Sequence, residues 1–330
     1  MASFVSRRIL AALGVLSLVW SACGGSPDGA ESTDGEGPDV DEPDVSGNPG
    51  GPSGGGSGGS GAGNGGTGSG NGGVGPGTGG SEAVASAGCD RASGLSSGER
   101  SIEVDGVTRT FIVDVPSDYD ESTPYPLLFG FHGRGFSAAE FRSASYGNLL
   151  SVAGDEAIVV HPEALGEPER FWDIDSLDDV RFFDALLEEL SDGLCIDESR
   201  VFAAGHSSGG YFINLLGCVR GVSLRAIAPV AGGGPFGSGG RAPSCTGPLP
   251  VWIAHSEDDE TVLFENGENS RDYWLESAAC DESFDDVTPS PCVSYEGCGA
   301  GLAVNWCVYD GGHDWPSFGA RGIWSFFQQF

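Results

Sequence analysis

Short, mostly apolar runs alternate with amphipathic stretches from residue 101 to the end of the chain. Such runs are typical of strands buried in a parallel sheet, and they lie at residues 126–131, 157–160, 201–204, 224–230, 250–254 and 303–309. Apolar positions at helical spacing predict helices at residues 177–194, 211–219 and 323–327. Residues 102–104 and 108–115, joined by Asp105-Gly106, predict a hairpin. The alternation of strand and helix predicts an α/β fold, one domain with a doubly wound, mostly parallel sheet.

The first residues of the chain have the pattern of an export signal. Arg7 and Arg8 precede an apolar run at residues 9–20, which is too short for a permanent membrane-spanning helix and typical of a signal-peptide core. Ser21-Ala22-Cys23 follows, and small residues before a cysteine are similar to the cleavage signal of bacterial lipoproteins. We therefore expect export to the extracellular space or the cell surface, with a lipid anchor on Cys23 as the only attachment to a membrane.

Residues 24–86 consist mostly of glycine, serine, proline and acidic residues, with almost no apolar side chains that could form a core. This composition predicts a disordered tether. The expected organisation is a signal segment with its cysteine at residues 1–23, a linker at 24–86 and a single folded domain at 87–330. We expect this domain to be stapled by disulfides and to act as a monomer.

Composition excludes several function classes. The formal net charge of −33 opposes binding to nucleic acid, whose phosphates need basic partners. Lysine is absent and arginine supplies all 15 Lys-plus-Arg positions, which excludes a Schiff-base lysine and the lysine of a phosphate-binding loop. Setting Cys23 aside leaves eight of the 9 cysteines, and an even number in an exported chain predicts up to four disulfides. No Cys-x-x-Cys pair occurs, so we expect no metal site.

Residues 201–211, VFAAGHSSGGY, combine a buried strand, a forced turn and the first turn of a helix. Gly205, Ser207 and Gly209 match G-x-S-x-G, the motif of a serine nucleophile at a sharp strand-to-helix turn. The glycines leave room for the tight backbone, and the N–H of Ser208 is aimed at the oxygen of an attacked carbonyl. A chance match in a flexible loop is the alternative in a chain with 57 glycines, but the strand before and the helix after favour the motif.

Two further residues complete a candidate triad in the chain order serine, acid, histidine. The predicted strand at 250–254 runs into Asp258 and Asp259; Asp259 is the first choice for the acid and Asp258 the alternative. His313 follows the last predicted strand in a glycine-flanked loop, from which an imidazole can reach the serine. The other four histidines are interpreted as hydrogen-bonding residues of loops and strand ends: His132, His161, His206 and His255.

A loop of sequence His-Gly-Arg-Gly follows the predicted strand at 126–131. A glycine-bearing loop after an early strand is where hydrolases with this nucleophile turn supply the second part of the oxyanion hole. The backbone N–H groups of Gly133 and Arg134 are therefore expected to act together with that of Ser208. A plain strand-to-helix turn is the alternative, because this short motif is weak by itself.

Five stretches together resemble the secreted esterase family that contains polyhydroxybutyrate depolymerases and feruloyl esterases. They are residues 129–135 (FGFHGRG), Trp172 with residues 178–180, residues 195–212 (CIDESRVFAAGHSSGGYF), residues 255–262 and residues 309–316 (YDGGHDWP). The similarity covers residues 89–330 and is greatest to the feruloyl esterase C type, whose terminal W-x-F-F-x-Q-F resembles residues 324–330. One departure is Ser256, where the family usually has glycine. The resemblance implies the α/β-hydrolase fold, with Ser207, Asp259 and His313 as the triad.

The resemblance implies a serine carboxylesterase that works through an acyl-enzyme and needs no cofactor. Feruloyl esters of plant cell-wall polysaccharide are the first expected substrate, and polyhydroxybutyrate or another polyester is the second. Trp172 and Trp315 are candidates to stack on an aromatic acid, or equally packing residues. A surface-binding lipoprotein without turnover is the rival of another class, against which an intact triad speaks. Family order also implies the disulfides Cys89–Cys195, Cys218–Cys245, Cys280–Cys298 and Cys292–Cys307.

Overall fold

The computed structural model describes residues 82–236 and 244–330. Its strands are β1 (Gly98–Val104), β2 (Val107–Asp114), β3 (Tyr125–Phe131), β4 (Ile158–Pro162), β5 (Ile196–His206), β6 (Ala226–Val230), β7 (Val251–Ser256), β8 (Phe284–Asp286), β9 (Cys292–Tyr295) and β10 (Val304–Tyr309). Its helices are α1 (Ala138–Arg142), α2 (Leu149–Ala153), α3 (Asp178–Gly193), α4 (Ser208–Val219), α5 (Phe264–Ala278) and α6 (Gly319–Phe327), with a 3-10 turn at Gly221–Ser223.

The described strands form one sheet in the order β1-β2-β4-β3-β5-β6-β7-β10-β9-β8. Along the order β4-β3-β5-β6-β7-β10 the neighbouring strands are parallel. The remaining neighbours at the two edges are antiparallel, namely β1 with β2, β2 with β4, β10 with β9 and β9 with β8. Parallel neighbours need crossover connections, and α1 and α2 lie in the connection from β3 to β4, α4 in that from β5 to β6 and α5 in that from β7 to β10. The predicted α/β fold with a mostly parallel sheet is confirmed, and each of the six apolar runs contributes a strand to it.

Helices cover both faces of the sheet and bury one apolar cluster on each. Successive residues of a strand point to opposite faces, so Leu128 and Phe129 of β3 belong to different clusters. On one face Phe129 packs in the cluster of α3, α4 and α5, and its ring lies edge-on to Phe183 of α3. On the other face the ring of Phe202 stacks on Phe327 of α6 at 4.7 Å. The sheet is therefore packed against helices on both faces, and the loops at its ends start from this packed core.

Helix α5 and strands β8 and β9 were not predicted from the sequence pattern. The buried residues of α5 are Gly267, Ser270, Trp274 and Ala278, which follow helical spacing but include a single large apolar side chain. A stripe of small residues gives a weak hydrophobic period. Strand β8 is exposed at every position, so it has no apolar alternation to detect.

Four disulfides join the described cysteines, and their pairs are those that the resemblance implied: Cys89–Cys195, Cys218–Cys245, Cys280–Cys298 and Cys292–Cys307. The first closes a separation of 106 residues and fixes the start of the domain beside β5. The last links paired positions of β9 and β10, which secures an edge of the sheet.

The described contacts of the domain reach back beyond the predicted boundary at residue 87. Ala85 pairs with Asp197 as an isolated antiparallel bridge, and the hydroxyl of Ser86 donates to the carbonyl of Leu194 at 2.7 Å. These two residues therefore belong to the domain and not to the predicted linker. The predicted signal segment, Cys23 and the linker up to residue 81 lie outside the described residues. Within the described part of the chain, no helix is long and apolar enough to span a membrane.

Candidate active site

The turn between β5 and α4 holds Ser207 at the carboxyl end of a central strand. β5 ends at His206 and α4 begins at Ser208, so Ser207 alone joins the two elements, with φ 55° and ψ −118°. These dihedrals are sparsely populated by residues with a side chain. A Cβ on Gly205 would lie 2.6 Å from the carbonyl oxygen of Gly209, and a Cβ on Gly209 would lie 2.3 Å from a carbonyl oxygen of β3. Only glycine fits at both flanking positions.

Three loops at this edge of the sheet bring Ser207, His313 and Asp259 together. Asp259 follows β7 and His313 follows β10, and these two strands are parallel neighbours. His313 Nε2 lies 2.8 Å from Ser207 Oγ, and His313 Nδ1 lies 2.7 Å from Asp259 Oδ2. A serine, a histidine and a carboxylate in this order form a relay that can move a proton off the serine.

Asp259 is a buried carboxylate whose charge is fixed by hydrogen bonds. Its Oδ1 accepts the backbone N–H groups of Thr261 and Val262, each at 2.9 Å. Burial raises the pKa of Asp259, but the hydrogen bonds from His313, Val262 and Thr261 outweigh burial, so that its pKa is lowered. An ionised carboxylate only accepts, so Nδ1 of His313 donates to Asp259. The neutral imidazole then offers Nε2 as the acceptor for the Ser207 hydroxyl.

Asp258, the alternative acid, supports the histidine loop. Its Oδ1 accepts the N–H groups of Gly311 at 3.0 Å and Gly312 at 2.8 Å, together with the hydroxyl of Ser256. The bond from Gly311, followed by those from Ser256 and Gly312, holds the pKa of Asp258 far below its usual range. The carboxylate of Asp258 thus fixes the two glycines directly before His313. Ser256, which stands where the family usually has glycine, donates one of the hydrogen bonds to this carboxylate.

The predicted oxyanion donors lie near the turn that contains Ser207. Gly133 packs on the nucleophile turn, since a Cβ added to it would lie 3.4 Å from Ser207 Cβ. Its N–H, however, donates to the hydroxyl of Tyr146 at 3.3 Å. Ser208 is the first residue of α4, where N–H groups have no intrahelical partner. Of the three predicted donors, Arg134 and Ser208 remain the candidates, whereas Gly133 is engaged by the tyrosine.

Tyr146 is a residue of the site that the sequence pattern did not reveal. Its hydroxyl also bonds to Nδ1 of His206, the residue directly before the nucleophile. Its ring packs against Phe136, Phe141 and Trp315. Tyr146 lies in the irregular segment between α1 and α2, and one aromatic residue in a serine-rich loop is too weak a signal to identify.

The remaining histidines are buried. Nε2 of His255 donates to the carbonyl of Val262 at 2.8 Å, and Nε2 of His132 accepts the N–H of Ala164 at 3.1 Å. Burial lowers the pKa of both His161 and His206 to about 3. For His161 the predicted hydrogen-bonding role is wrong, because neither ring nitrogen finds a partner among the described residues. Across residues 82–236 and 244–330, no group of three or more His, Cys, Asp or Glu side chains could hold a metal ion.

Ser207 opens into a cleft of about 840 Å³. Trp315 lines this cleft beside His313, and its ring packs edge-on against Phe141 and His206. Trp172 instead lies in the core with 2% of its surface exposed, and its indole N–H donates to the carbonyl of His132 at 2.9 Å. The stacking of either tryptophan on a substrate stays a prediction.

Comparison with known proteins identifies relatives along most of the chain. Feruloyl esterase D of Neurospora crassa is 30% identical over 276 residues, which are 75% of this chain and 91% of the relative. A probable feruloyl esterase C of Aspergillus niger is 29% identical over 256 residues, 73% of this chain and 90% of the relative. No protein-family profile matches the chain.

Solved structures support the fold. The acetyl xylan esterase from Aspergillus awamori superposes with a TM-score of 0.56 at 15% identity, over 71% of this chain and 100% of that one. At this identity the structural similarity supports the fold alone. The assignment to a family and to an enzyme class rests on the sequence relatives. The predicted resemblance is confirmed. This chain belongs to the feruloyl esterase family, has the α/β-hydrolase fold and is a carboxylic ester hydrolase.

Proposed function

We propose that the protein hydrolyses hydroxycinnamoyl esters, in the first place feruloyl esters of plant cell-wall polysaccharide, through a serine acyl-enzyme. The observation that carries the proposal is the relay of Asp259, His313 and Ser207, which is bonded at 2.7 and 2.8 Å and opens into the cleft. The choice of acyl group is supported by relatives that are feruloyl esterases.

In the first half of the reaction, Ser207 Oγ attacks the ester carbonyl carbon while its proton passes to His313 Nε2. The ionised Asp259 stabilises the imidazolium through the Nδ1 bond. The negative oxygen of the tetrahedral intermediate accepts the N–H groups of Ser208 and Arg134. The bond to the alcohol then breaks, His313 returns the proton to the leaving oxygen, and the acyl group stays on Ser207 as an ester.

In the second half a water molecule takes the place of the alcohol. His313 Nε2 removes a proton from this water, and the resulting hydroxide adds to the acyl carbon. Collapse of the second intermediate returns the proton from His313 to Ser207 Oγ and releases the free acid. Every group named belongs to this chain, so one molecule suffices for turnover, which supports action as a monomer.

We also infer export and attachment to the cell surface. Four disulfides favour an oxidising compartment, because cytoplasmic thiols are kept reduced. The signal pattern before Cys23 and the glycine-rich segment after it support a lipid anchor followed by a tether. Mass spectrometry of the mature N-terminus tests the anchor, since a diacylglyceryl mass on Cys23 is expected and an unmodified residue would rule it out.

A polyester such as polyhydroxybutyrate is the second candidate substrate. Two phenylalanines beside the site favour it: Phe136 lines the cleft with 44% of its surface exposed, and Phe171 is 49% exposed. Exposed apolar side chains of this kind suit contact with an apolar surface. The same relay would act on either ester.

The test is release of ferulate from methyl ferulate and from feruloylated arabinoxylan, beside clearing of a polyhydroxybutyrate film. Ser207→Ala should abolish ferulate release, whereas Ser325→Ala, on the exposed side of α6, should leave it unchanged. Film clearing without ferulate release would move the substrate to polyester. Absence of activity on all three and on a simple aryl ester would favour the rival function, binding without turnover.

A further inference from the structure

A second cavity lies at the opposite end of the sheet from Ser207. Its volume is about 370 Å³, and it is bordered by the start of β3, the turn before β4, the middle of β5 and the end of α6. Residues 200 and 207 are joined by extended backbone, and at about 3.3 Å per residue they lie about 23 Å apart. The cavity is therefore separate from the catalytic cleft. The lining residues with polar side chains are Thr123, Tyr125, Glu156, Arg200, Trp324 and Gln328.

Trp324 supplies the observation that points to a ligand. Its side chain is 6% exposed, and its indole Nε1 has no hydrogen-bond partner among the described residues. Buried polar groups in folded proteins almost always have a partner, and an unpaired buried donor is unfavourable. An oxygen atom of a ligand in the cavity beside this ring can supply the missing acceptor.

Further donors and acceptors are fixed beside Trp324. Gln328 Nε2 donates to Glu156 Oε2 at 2.7 Å, which links the end of α6 to the turn before β4. Arg200 Nε donates to Asp197 Oδ2 at 2.7 Å, and its two Nη atoms make no hydrogen bond within the described residues. The carboxylate of Glu156 can accept several hydrogen bonds. The wall thus offers donors and acceptors together.

The rest of the wall is apolar, and its charges balance. The ring of Phe202 stacks on Phe327 at 4.7 Å, and the ring of Tyr125 borders the same cavity. Rigid rings beside hydrogen-bonding groups suit a sugar, which has apolar C–H faces and a rim of hydroxyls. One basic and one acidic side chain, Arg200 and Glu156, line the cavity, so its charge favours a neutral ligand.

We propose that this cavity is a non-catalytic sugar site, which binds a neutral sugar unit of a polysaccharide while the catalytic cleft acts on the esters of the same polymer. Pockets for small molecules measure about 300–1,000 Å³, so about 370 Å³ suits a single sugar unit. A second attachment raises the local concentration of the polymer near Ser207 and leaves the chemistry of the relay unchanged. The inference goes beyond the proposed function, because sugar binding does not depend on the acyl group that Ser207 accepts.

The direct test is NMR titration of the isotope-labelled Ser207→Ala protein with xylohexaose. The indole N–H signal of Trp324, identified by its loss in Trp324→Phe, should shift in a saturable manner. Trp315 lines the catalytic cleft, so its indole signal reports sugar binding there separately. A Trp324 signal that stays in place with millimolar xylohexaose, or that moves with hexanoate instead, would overturn the sugar site.

A matched pair of variants tests the effect on the polymer. Thr123→Trp fills the cavity from an exposed position, and Thr108→Trp places the same side chain on the exposed hairpin of β1 and β2. On feruloylated arabinoxylan, Thr123→Trp should raise the half-saturating concentration about fivefold or more with unchanged kcat, whereas Thr108→Trp should stay within about twofold of wild type. Equal values for the two variants would overturn the proposal.

Methyl ferulate is the control substrate, because it contains no sugar. Neither variant should change its kcat/KM, which also reports that both are folded. Failure of the proposed function has a different signature: wild type would release no ferulate from either ester, while the Trp324 signal would still shift with xylohexaose. A Trp324 signal that does not respond in an active feruloyl esterase would remove the sugar site alone.

Discussion

Removal of the Tyr146 hydroxyl is the most informative single change at the site. This hydroxyl bonds to the N–H of Gly133, in the loop before the proposed donor Arg134, and to Nδ1 of His206, the residue before the nucleophile. It therefore links the loop that contains Arg134 to the turn that contains Ser208, and these two residues are the proposed oxyanion donors. Tyr146→Phe keeps the ring and its packing and removes only these two hydrogen bonds.

The magnitude follows from the groups left without a partner. His206 is 3% exposed, and burial lowers its pKa to about 3, so the ring stays neutral near pH 7 and a lost bond is not replaced by charge. An unpaired buried polar group costs about 1–3 kcal/mol. The bond to Gly133 is long at 3.3 Å, so we take about 1.4 kcal/mol, in the lower part of this range, as the energy lost in the transition state. Since 1.36 kcal/mol corresponds to tenfold in rate, kcat should fall about tenfold.

The assay is steady-state hydrolysis of 4-nitrophenyl acetate by wild type and Tyr146→Phe, together with thermal unfolding. We expect a lower kcat with nearly unchanged KM, because the Tyr146 hydroxyl positions the oxyanion donors and does not contribute to ground-state binding of the substrate. Tyr119→Phe is the matched control, since its hydroxyl accepts the N–H of Cys195 at 2.6 Å in another part of the domain. It should lower stability and leave kcat unchanged. Wild-type kcat in Tyr146→Phe, or an equal loss of kcat in Tyr119→Phe, would refute the reasoning.

Three further predictions concern the acid, the pH dependence and the disulfides. Asp259→Asn should lower kcat by about 10⁴, as loss of the acid does in other serine triads, whereas Asp258→Asn should lower it only about tenfold, because it loosens the histidine loop. His161 has a pKa of about 3 when folded and about 6.5 when unfolded, so the native state binds fewer protons and stability should fall as the pH drops from about 6.5 to 3. Replacing Cys89 and Cys195 by serine removes a cross-link over 106 residues and should cost up to about 4–5 kcal/mol.

Each of these has a direct measurement. Comparable kcat values for the two aspartate variants would contradict the assignment of Asp259. Thermal unfolding between pH 7 and pH 3.5 should show a weaker pH dependence for His161→Leu than for wild type, and identical curves would exclude His161 as the cause. Denaturant unfolding of the double serine variant should show a lower midpoint, and an unchanged midpoint would mean that the cross-link adds no stability.

Much of the fold could be predicted because its signals are local. A buried strand such as residues 126–131 is recognised from its own apolar side chains. The turn around Ser207 is likewise recognised from its own glycines, since the contacts that exclude a Cβ at Gly205 come from four residues away. Helix α5 was missed for the opposite reason, because Trp274 is the single large apolar side chain on its buried face and the other buried residues are small, so the local pattern shows no clear hydrophobic period.

The local pattern of residues was sufficient to predict the class of fold, the nucleophile turn and the set of candidate residues, because strand, turn and helix each depend on neighbours within a few positions. The tertiary structure was needed to bring Asp259 to His313 and Asp258 to a glycine before it, to join Tyr146 to the nucleophile turn and to place a second cavity at the opposite end of the sheet from Ser207. The contacts of Asp259 and Ser207 with His313 join residues 54 and 106 positions apart, so they depend on the distance between the ends of separate strands. That distance is set by the order in which β5, β7 and β10 lie in the sheet, and no local pattern carries it.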